Sequence, residues 1–402
     1  MVPNERRWIV NIKDLAKKYD GYVIEERRYF HQHPELSFEE VETTRALKER
    51  LEAMGIPVVT FPDYNGLVGE IKGGKPGATV MLRADIDALP VEEHTGLDFA
   101  ATNGKMHACG HDCHIAMLLG AAKILMEIRE EIPGTVKLMF QAAEESCRGA
   151  GYYVEKGVLG GVDGIFGMHI WAGADSPLFN IESGGRMASC DNFKITVKGV
   201  SAHGSAPHLG RDAIVAASSV IMNLQTFVSR NNDPLNSLVI SVGTVKGGQR
   251  FNIIANHVEM EGTIRTYSRE LRQTLEGDLR RIVCNTAEAL GCEAELEFTP
   301  LLGPIINDAE ELVRVARDAA VKLYGDDCLH PMPRLMGSED FAMFMEKIPG
   351  IYCFIGARNE ELGKIYSNHN DKFDVDESAL HRGAALYAQF AVDFLAEKAQ
   401  AK

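Results

Sequence analysis

Three short apolar runs in the first half of the chain each lead into residues able to hold a proton or a cation. TVMLRA runs into Asp85-Ile86-Asp87, TVKLMF runs on to Glu144-Glu145, and Asp163–Met168 ends at His169. Runs of this length, punctuated by Gly, Pro or Asn, read as strands. In an open α/β sheet, ligands bind outside the carboxyl ends of the strands. Asp87, Glu144, Glu145 and His169 all fall at such ends, and that shared topology says more than any one of them.

The surrounding pattern fits such a sheet. Residues 11–30 and 37–54 carry helical periodicity, and Pro57–Phe61, Leu67–Ile71 and Thr79–Leu82 read as strands. His111 to Glu127 is predicted to be a helix with a small, apolar face. Alternating strand and helix imply a largely parallel sheet covered on both faces. The texture changes near Ser189. Phe193–Val197 alternates, as a strand with one covered face should, and a helix follows over Asp212–Ser229. Next come strands Ser237–Val245 and His257–Arg265, helix Glu270–Ala289 and strand Glu293–Phe298. This β-α-β-β-α-β order is the split βαβ arrangement. It predicts an inserted domain, 189–299, between two parts of a first domain, 1–188 and 300–402. Helices near 308–323 and 338–346, strand Ile351–Phe354 and a closing helix 376–397 complete the first domain.

Composition narrows the function. At 402 residues and 45% hydrophobic, the chain can bury a large core, and more than one domain is expected. A net charge of -15 argues against a nucleic-acid partner, which needs a basic footprint. No apolar run approaches the roughly 20 residues of a membrane span. The first twenty residues are charged and mixed, without the apolar stretch of a secretory signal. A cytoplasmic, reducing location is the expectation. Eight scattered cysteines do not suggest a disulfide framework.

Cys109 stands apart because of its neighbours. Met106–His114 (MHACGHDCH) packs three histidines, two cysteines and an aspartate into nine positions. Thiolate and imidazole suit zinc and similar borderline ions. Short His/Cys tracts also arise by chance, so the tract alone leaves a metal site and a bland loop both open. Glu144-Glu145 adds weight. Adjacent carboxylates after a buried strand repel each other. A cation relieves this by ligating one, and the other can serve as general base.

Other positions stay ambiguous on the residues alone. His369, in SNHND, reads as a surface histidine. His203, in the loop SAHGS, is a loop histidine or a donor to a developing oxyanion. Asn252 and Arg265 lie on or beside neighbouring strands. Arg265 could make a surface ion pair or grip a carboxylate with its fork.

Taken together, FHQHPELSFEE, LRADIDALP, MHACGHD, FQAAEE, GMHIW, SAHGSAPHLGRDA, FNIIANHVEMEGTIRTY, MGSEDF and SNHNDKFDVDE resemble the M20 metallopeptidase family. The likeness is to its amidohydrolase branch, with aminoacylase-like, hippurate and plant auxin-conjugate hydrolases. It runs from residue 30 to residue 377.

The resemblance implies a zinc-peptidase-like α/β catalytic domain with an inserted ferredoxin-like α+β lid and dimerisation domain. It implies two divalent ions, zinc, manganese or cobalt, bridged by Cys109. His111 and His169 would complete one set of ligands, Glu145 and His369 the other. Glu144 would be the general base and Asp87 an orienting residue. His203 would reach the oxyanion, from one subunit of a homodimer or higher oligomer into another. Asn252 and Arg265 would hold the substrate carboxylate, with Gly337 and Ser338 lining the pocket. The substrate would be a small N-acyl amino acid, cleaved to a carboxylic acid and a free amino acid. Cys113, Ser146-Cys147-Arg148 and Ala255 depart from the family's usual residues without removing a ligand.

Three rivals follow. A dipeptidase or carboxypeptidase could use the same scaffold. A non-catalytic binding protein would not need Glu144 and five intact ligands. A thiol-redox enzyme built on Cys109 and Cys113 has the wrong spacing, and a ligating Cys109 would be occupied.

Overall fold

The computed structural model describes residues 11–400. The ends of the expected first domain, 1–10 and 401–402, lie outside the described residues, as does half of the charged N-terminal stretch. The chain forms two compact units. The larger holds the residues up to Gly184, Asn307–Pro333, and those from Met343 on. The smaller holds Gly185–Ile306 and Arg334–Ala342.

A seven-stranded sheet organises the larger unit. Its centre is four parallel strands in the order Pro133–Gln141, Lys75–Asp85, Gly164–Asp175, Gly350–Arg358. Antiparallel strands Tyr64–Lys72 and Val58–Phe61 extend one side, and Phe179–Asn180 closes the other. The fold is mixed α/β. The central strands are buried on both faces, which explains their unbroken apolar runs. Helix His111–Glu127 is apolar nearly all round because Asp20–Gln32 and Leu380–Gln400 pack against it. Gly120 permits that closeness: a Cβ there would stand 2.5 Å from Val23 and 3.0 Å from Ala384.

Several boundaries differ from expectation, each for a local reason. The helix read over 11–30 is two, Ile12–Lys18 and Asp20–Gln32, broken at Tyr19. The helix read over 37–54 begins only at Val41. Phe38 takes a left-handed φ of 69°, which no helix tolerates, and the segment before Val41 serves the site instead. His169 does not end its strand. The strand continues to Asp175 because Gly350–Arg358 pairs along its length, although pairing with Lys75–Asp85 stops at Gly167. His169 therefore sits level with the carboxyl end of its other neighbour.

The smaller unit is an antiparallel sheet in the order Glu293–Leu302, Cys190–Lys198, His257–Thr266, Leu238–Gly247. Helices Ala213–Thr226 and Arg269–Ala289 supply apolar residues to its core. Asp212 caps the first helix, its carboxylate accepting from the N–H of Ile214. The helix expected over 338–346 is only Ala342–Met345. Residues 334–342 run alongside 186–188 instead. Leu335 N–H donates to Arg186 O, and Ala188 N–H to Gly337 O.

A buried ionic knot ties distant segments of the larger unit. Arg27 donates to Asp112 at 2.9 Å and to Asp374 at 2.8 Å, and His31 also contacts Asp112. Breaking one member of such a pair leaves a buried charge unpaired, a loss of about 3–5 kcal/mol. The knot joins the residue after His111 to the loop that follows His369.

Candidate metal centre

Five side chains expected to ligate meet in the larger unit. Cys109, His111 and His169 have ligand atoms within 4.8 Å of one another, and so do Cys109, Glu145 and His369. Cys109 Sγ is shared. It lies 3.3 Å from His169 Nε2 and 3.3 Å from His369 Nε2. Glu145 Oε1 stands 3.5 Å from His369 Nε2 and 4.0 Å from His111 Nε2. Ligands about 2.0–2.3 Å from a tetrahedral ion sit roughly 3.3–3.8 Å from one another. The spacing fits two cations around one sulfur.

Each histidine is oriented. His111 Nδ1–H donates to Asp87 O at 2.8 Å, and His169 Nδ1–H to Ile170 O at 2.6 Å. Nε2 of both is thereby turned to the cluster with its lone pair exposed, as ligating imidazoles require. Gly110, with φ 97°, makes the sharp entry between Cys109 and His111. A Cβ there would strike Ile170 Cγ2 at 2.5 Å. His369 also has a positive φ, 67°. Its N–H donates to Ala108 O at 2.7 Å, and Asn368 Nδ2 donates to Cys109 O at 2.9 Å. Such strain persists only where the surroundings fix it.

Electrostatics favour a cation. Buried His111 Nε2 and Glu145 Oε1 have no hydrogen-bond partner among the described residues. Burial pushes the Cys109 thiol up, and the nearby Glu145, Glu144 and Asp85 push it further. Burial pulls His111 down, but Asp85, Asp87 and Glu145 outweigh it and raise it to about 10. A thiol and an imidazole amid carboxylates suit a divalent ion, which would hold one as thiolate and the other as neutral imidazole.

Glu144 and Glu145 follow the strand Pro133–Gln141. Glu144 Oε2 lies 3.9 Å from His111 Nε2. Asp87 orients the set: its Oδ2 accepts from Ser37 Oγ at 2.6 Å and from Glu145 N–H at 3.0 Å. Further residues support the set. His114 Nδ1–H donates to Asp85 and its Nε2 accepts from Ile170 N–H at 2.8 Å, anchoring the strand beside His169. Spacing offered a signal for His114, on the same helix face as His111, and Asp85 falls at the end of an apolar strand; Asn368 offered none.

Glu40, at the end of FHQHPELSFEE, is also buried. Burial, and then the charge of Asp87, push its carboxyl up to about 7. A raised carboxyl favours folding below its ordinary pKa, and that contribution is lost as pH rises through about 7. Displaced about 2.5 pH units from 4.5, it costs about 3 kcal/mol of stability at pH 8. Glu40→Gln escapes this loss. The Tm difference between variant and parent is expected to move in the variant's favour from pH 4 to pH 8. Parallel pH–Tm profiles would contradict it.

The smaller unit holds the remaining expected residues in two groups. Arg265 donates to Ser189 O at 3.4 Å and to Ser338 Oγ at 3.3 Å, beside Gly337, so it is not spent on a surface ion pair. His203 is exposed, its Nδ1 2.7 Å from Ser205 Oγ. Asn252 lies beside that loop, its carbonyl accepting from Gly204 N–H at 2.8 Å, while its buried Oδ1 has no hydrogen-bond partner among the described residues.

Fold and site together define a metal-dependent hydrolase. Residues 81–393 match peptidase family M20/M25/M40, and the chain belongs to that family. It is 39% identical to thermostable carboxypeptidase 2 of Saccharolobus solfataricus, over 96% of this chain and 98% of that one. It is 40% identical to an N-acetylcysteine deacetylase of Bacillus subtilis, over 94% and 97%. A Bacillus subtilis crystal structure described as a dinuclear metal binding peptidase from the M20 family superposes with a TM-score of 0.83. It shares 37% identity, covering 95% of this chain and 99% of that one.

Proposed function

We propose that the protein hydrolyses the amide bond of N-acyl amino acids, releasing a carboxylic acid and a free amino acid. The observation that carries this is the pair of ligand triads sharing Cys109, with Glu144 beside them. The deacetylase likeness supports an acyl amino acid as substrate. The carboxypeptidase likeness fits the same bond, because a peptide with a free C-terminus is an N-acyl amino acid whose acyl group is itself a peptide.

Cys109, His111 and His169 would hold one ion, and Cys109, Glu145 and His369 the other; zinc, manganese and cobalt all suit these donors. When bound, the ions would polarise the amide carbonyl and acidify water. Glu144 takes the proton of the attacking water and delivers it to the leaving amine. Asp87 keeps His111 and the Glu145 backbone in place. Arg265 receives the substrate carboxylate in its fork, with Asn252, Gly337 and Ser338 around it, and His203 donates to the oxyanion.

Residues 189–299, within the smaller unit, serve as an inserted lid and dimerisation domain. Its helix Ala213–Thr226 exposes Ile214, Val215 and Met222, and Phe251 is 94% exposed. Strand Leu238–Gly247 is a sheet edge beside them. Such apolar surface at an edge strand suits a second copy of the chain. Sedimentation is expected to give a dimer, and a monomer at micromolar concentration would contradict this. All eight cysteines are unpaired, which accords with a reducing, cytoplasmic location. No described helix is long and apolar enough to cross a membrane.

A substrate panel tests the activity. Metal-loaded protein should release amino acid from N-acetyl and N-benzoyl amino acids. Cleavage confined to dipeptides with a free amino group would overturn the proposal in favour of a dipeptidase.

A further inference from the structure

The turn that presents Glu144 is not secured by the strand it leaves. Pairing ends at Gln141, and Ala143 then adopts a φ of 60°, where alanine rarely sits. Cys147, at the far side of the turn, has a φ of 58°. Strain of this kind persists only when neighbours impose it.

Two backbone N–H groups flank Glu144, and both are claimed by carboxylates bound up with one short segment, residues 37–40. Ala143 N–H donates to Glu40 Oε1 at 2.7 Å. Glu145 N–H donates to Asp87 Oδ2, the same oxygen that accepts the Ser37 hydroxyl. The segment is itself pinned. Asn65 Nδ2 donates to Phe38 O at 3.0 Å and to Glu40 Oε2 at 3.2 Å, and Phe38 is held in its left-handed conformation. Ala88 N–H donates to Glu35 O at 2.8 Å, fixing the segment to the strand end that carries Asp87.

Glu40 is fully buried, and its hydrogen-bond partners are amide N–H groups. The charge that acts on it is that of another carboxylate, Asp87. A buried carboxylate without a cation is unfavourable. Stability does not account for it; the N–H it holds does.

We propose that Glu40 is a positioning residue for Glu144, its carboxylate clamping the Ala143 turn so that the Glu144 side chain is aimed at the reacting water. The inference rests on Glu144 being the general base. Glu40 touches no substrate; it acts through the backbone. With Ser37 and Asp87 it brackets the turn on both sides of Glu144.

The test compares Glu40→Leu, which removes the acceptor at similar volume, with Glu40→Gln, which keeps one acceptor oxygen. Both are assayed, metal-loaded, on an N-acyl amino acid the parent cleaves, with kcat, KM and metal content measured. Displacing a catalytic group by about 1 Å can cost about 10²-fold. Glu40→Leu is expected to lower kcat about 30–100-fold, with KM within about twofold and metal content unchanged, and Glu40→Gln to recover most of the rate. Asn65→Ala, which loosens the clamp from its half-buried side, should lower kcat several-fold at constant KM, and decides the matter if Glu40→Leu does not fold. Unchanged kcat in Glu40→Leu, equal damage in Glu40→Gln, or a parallel loss of kcat, KM and metal would overturn the proposal. Glu144→Gln is run alongside. If it is fully active the base assignment has failed; if it is inactive while Glu40→Leu is normal, only the clamp has.

Discussion

Glu144→Gln is expected to lower kcat by about 10²–10⁴-fold, the range a positioned general base supplies. The substitution keeps shape and removes the one property the reaction needs, a carboxylate that can take and return a proton. Glu145, not Glu144, belongs to the triad with Cys109 and His369, so metal content should stay at the parental level. KM should change little, because the substrate carboxylate is proposed to bind Arg265, not Glu144. The measurement is steady-state kinetics on a metal-loaded variant with its metal content assayed. Turnover near that of the parent would remove Glu144 from the mechanism. Loss of metal together with activity would make it a ligand instead.

Cys109→Ala has an effect of a different kind. Cys109 Sγ belongs to both triads, whereas His169 and His369 each belong to one. Removing the sulfur would leave each bound ion with fewer protein donors and would take away a thiolate charge that offsets them. Metal affinity should fall by more than the roughly 10–100-fold that a residue merely orienting a ligand is worth. Activity should fall to background. His169→Ala and His369→Ala should each weaken about one ion per chain. A graded pattern, with Cys109→Ala losing most and the two histidine variants losing about half, is the signature of a bridge. Equal losses in all three variants would contradict it, and so would unchanged stoichiometry in Cys109→Ala.

Much of this was legible in the sequence because sheets put function at strand ends. Asp87, Glu144 and Glu145 follow apolar runs that become adjacent parallel strands, and the structure sets those ends side by side. The Cys109–His111 pair was visible from donor chemistry alone. His369 was different. It reaches the site because its N–H bonds to Ala108 and Asn368 bonds to Cys109, contacts across some 260 residues. No local pattern encodes that, and only the resemblance named it.

The supporting residues were hidden for a related reason. Glu40 and Ser37 lie where periodicity continued a helix back to residue 37, yet Phe38 turns left-handed and frees the segment to clamp the turn at Ala143. Asp85 stands with Asp87 after an apolar run, but its role depends on His114, 29 residues on. Hydrogen bonds between distant segments decide such roles, and a period of 2.0 or 3.6 carries no record of them. The sequence over 338–346 suits a helix, but only Ala342–Met345 is helical, and the backbone just before it, at Leu335 and Gly337, bonds to Arg186 and Ala188.

The proposed metal centre would have two cations sharing the sulfur of Cys109. Crystals of metal-loaded protein, measured on both sides of the metal's absorption edge, test it without any assay of activity. Two anomalous peaks are expected, one among Cys109, His111 and His169 and one among Cys109, Glu145 and His369, both within bonding distance of Cys109 Sγ. A single peak, or a second one away from that sulfur, would contradict it.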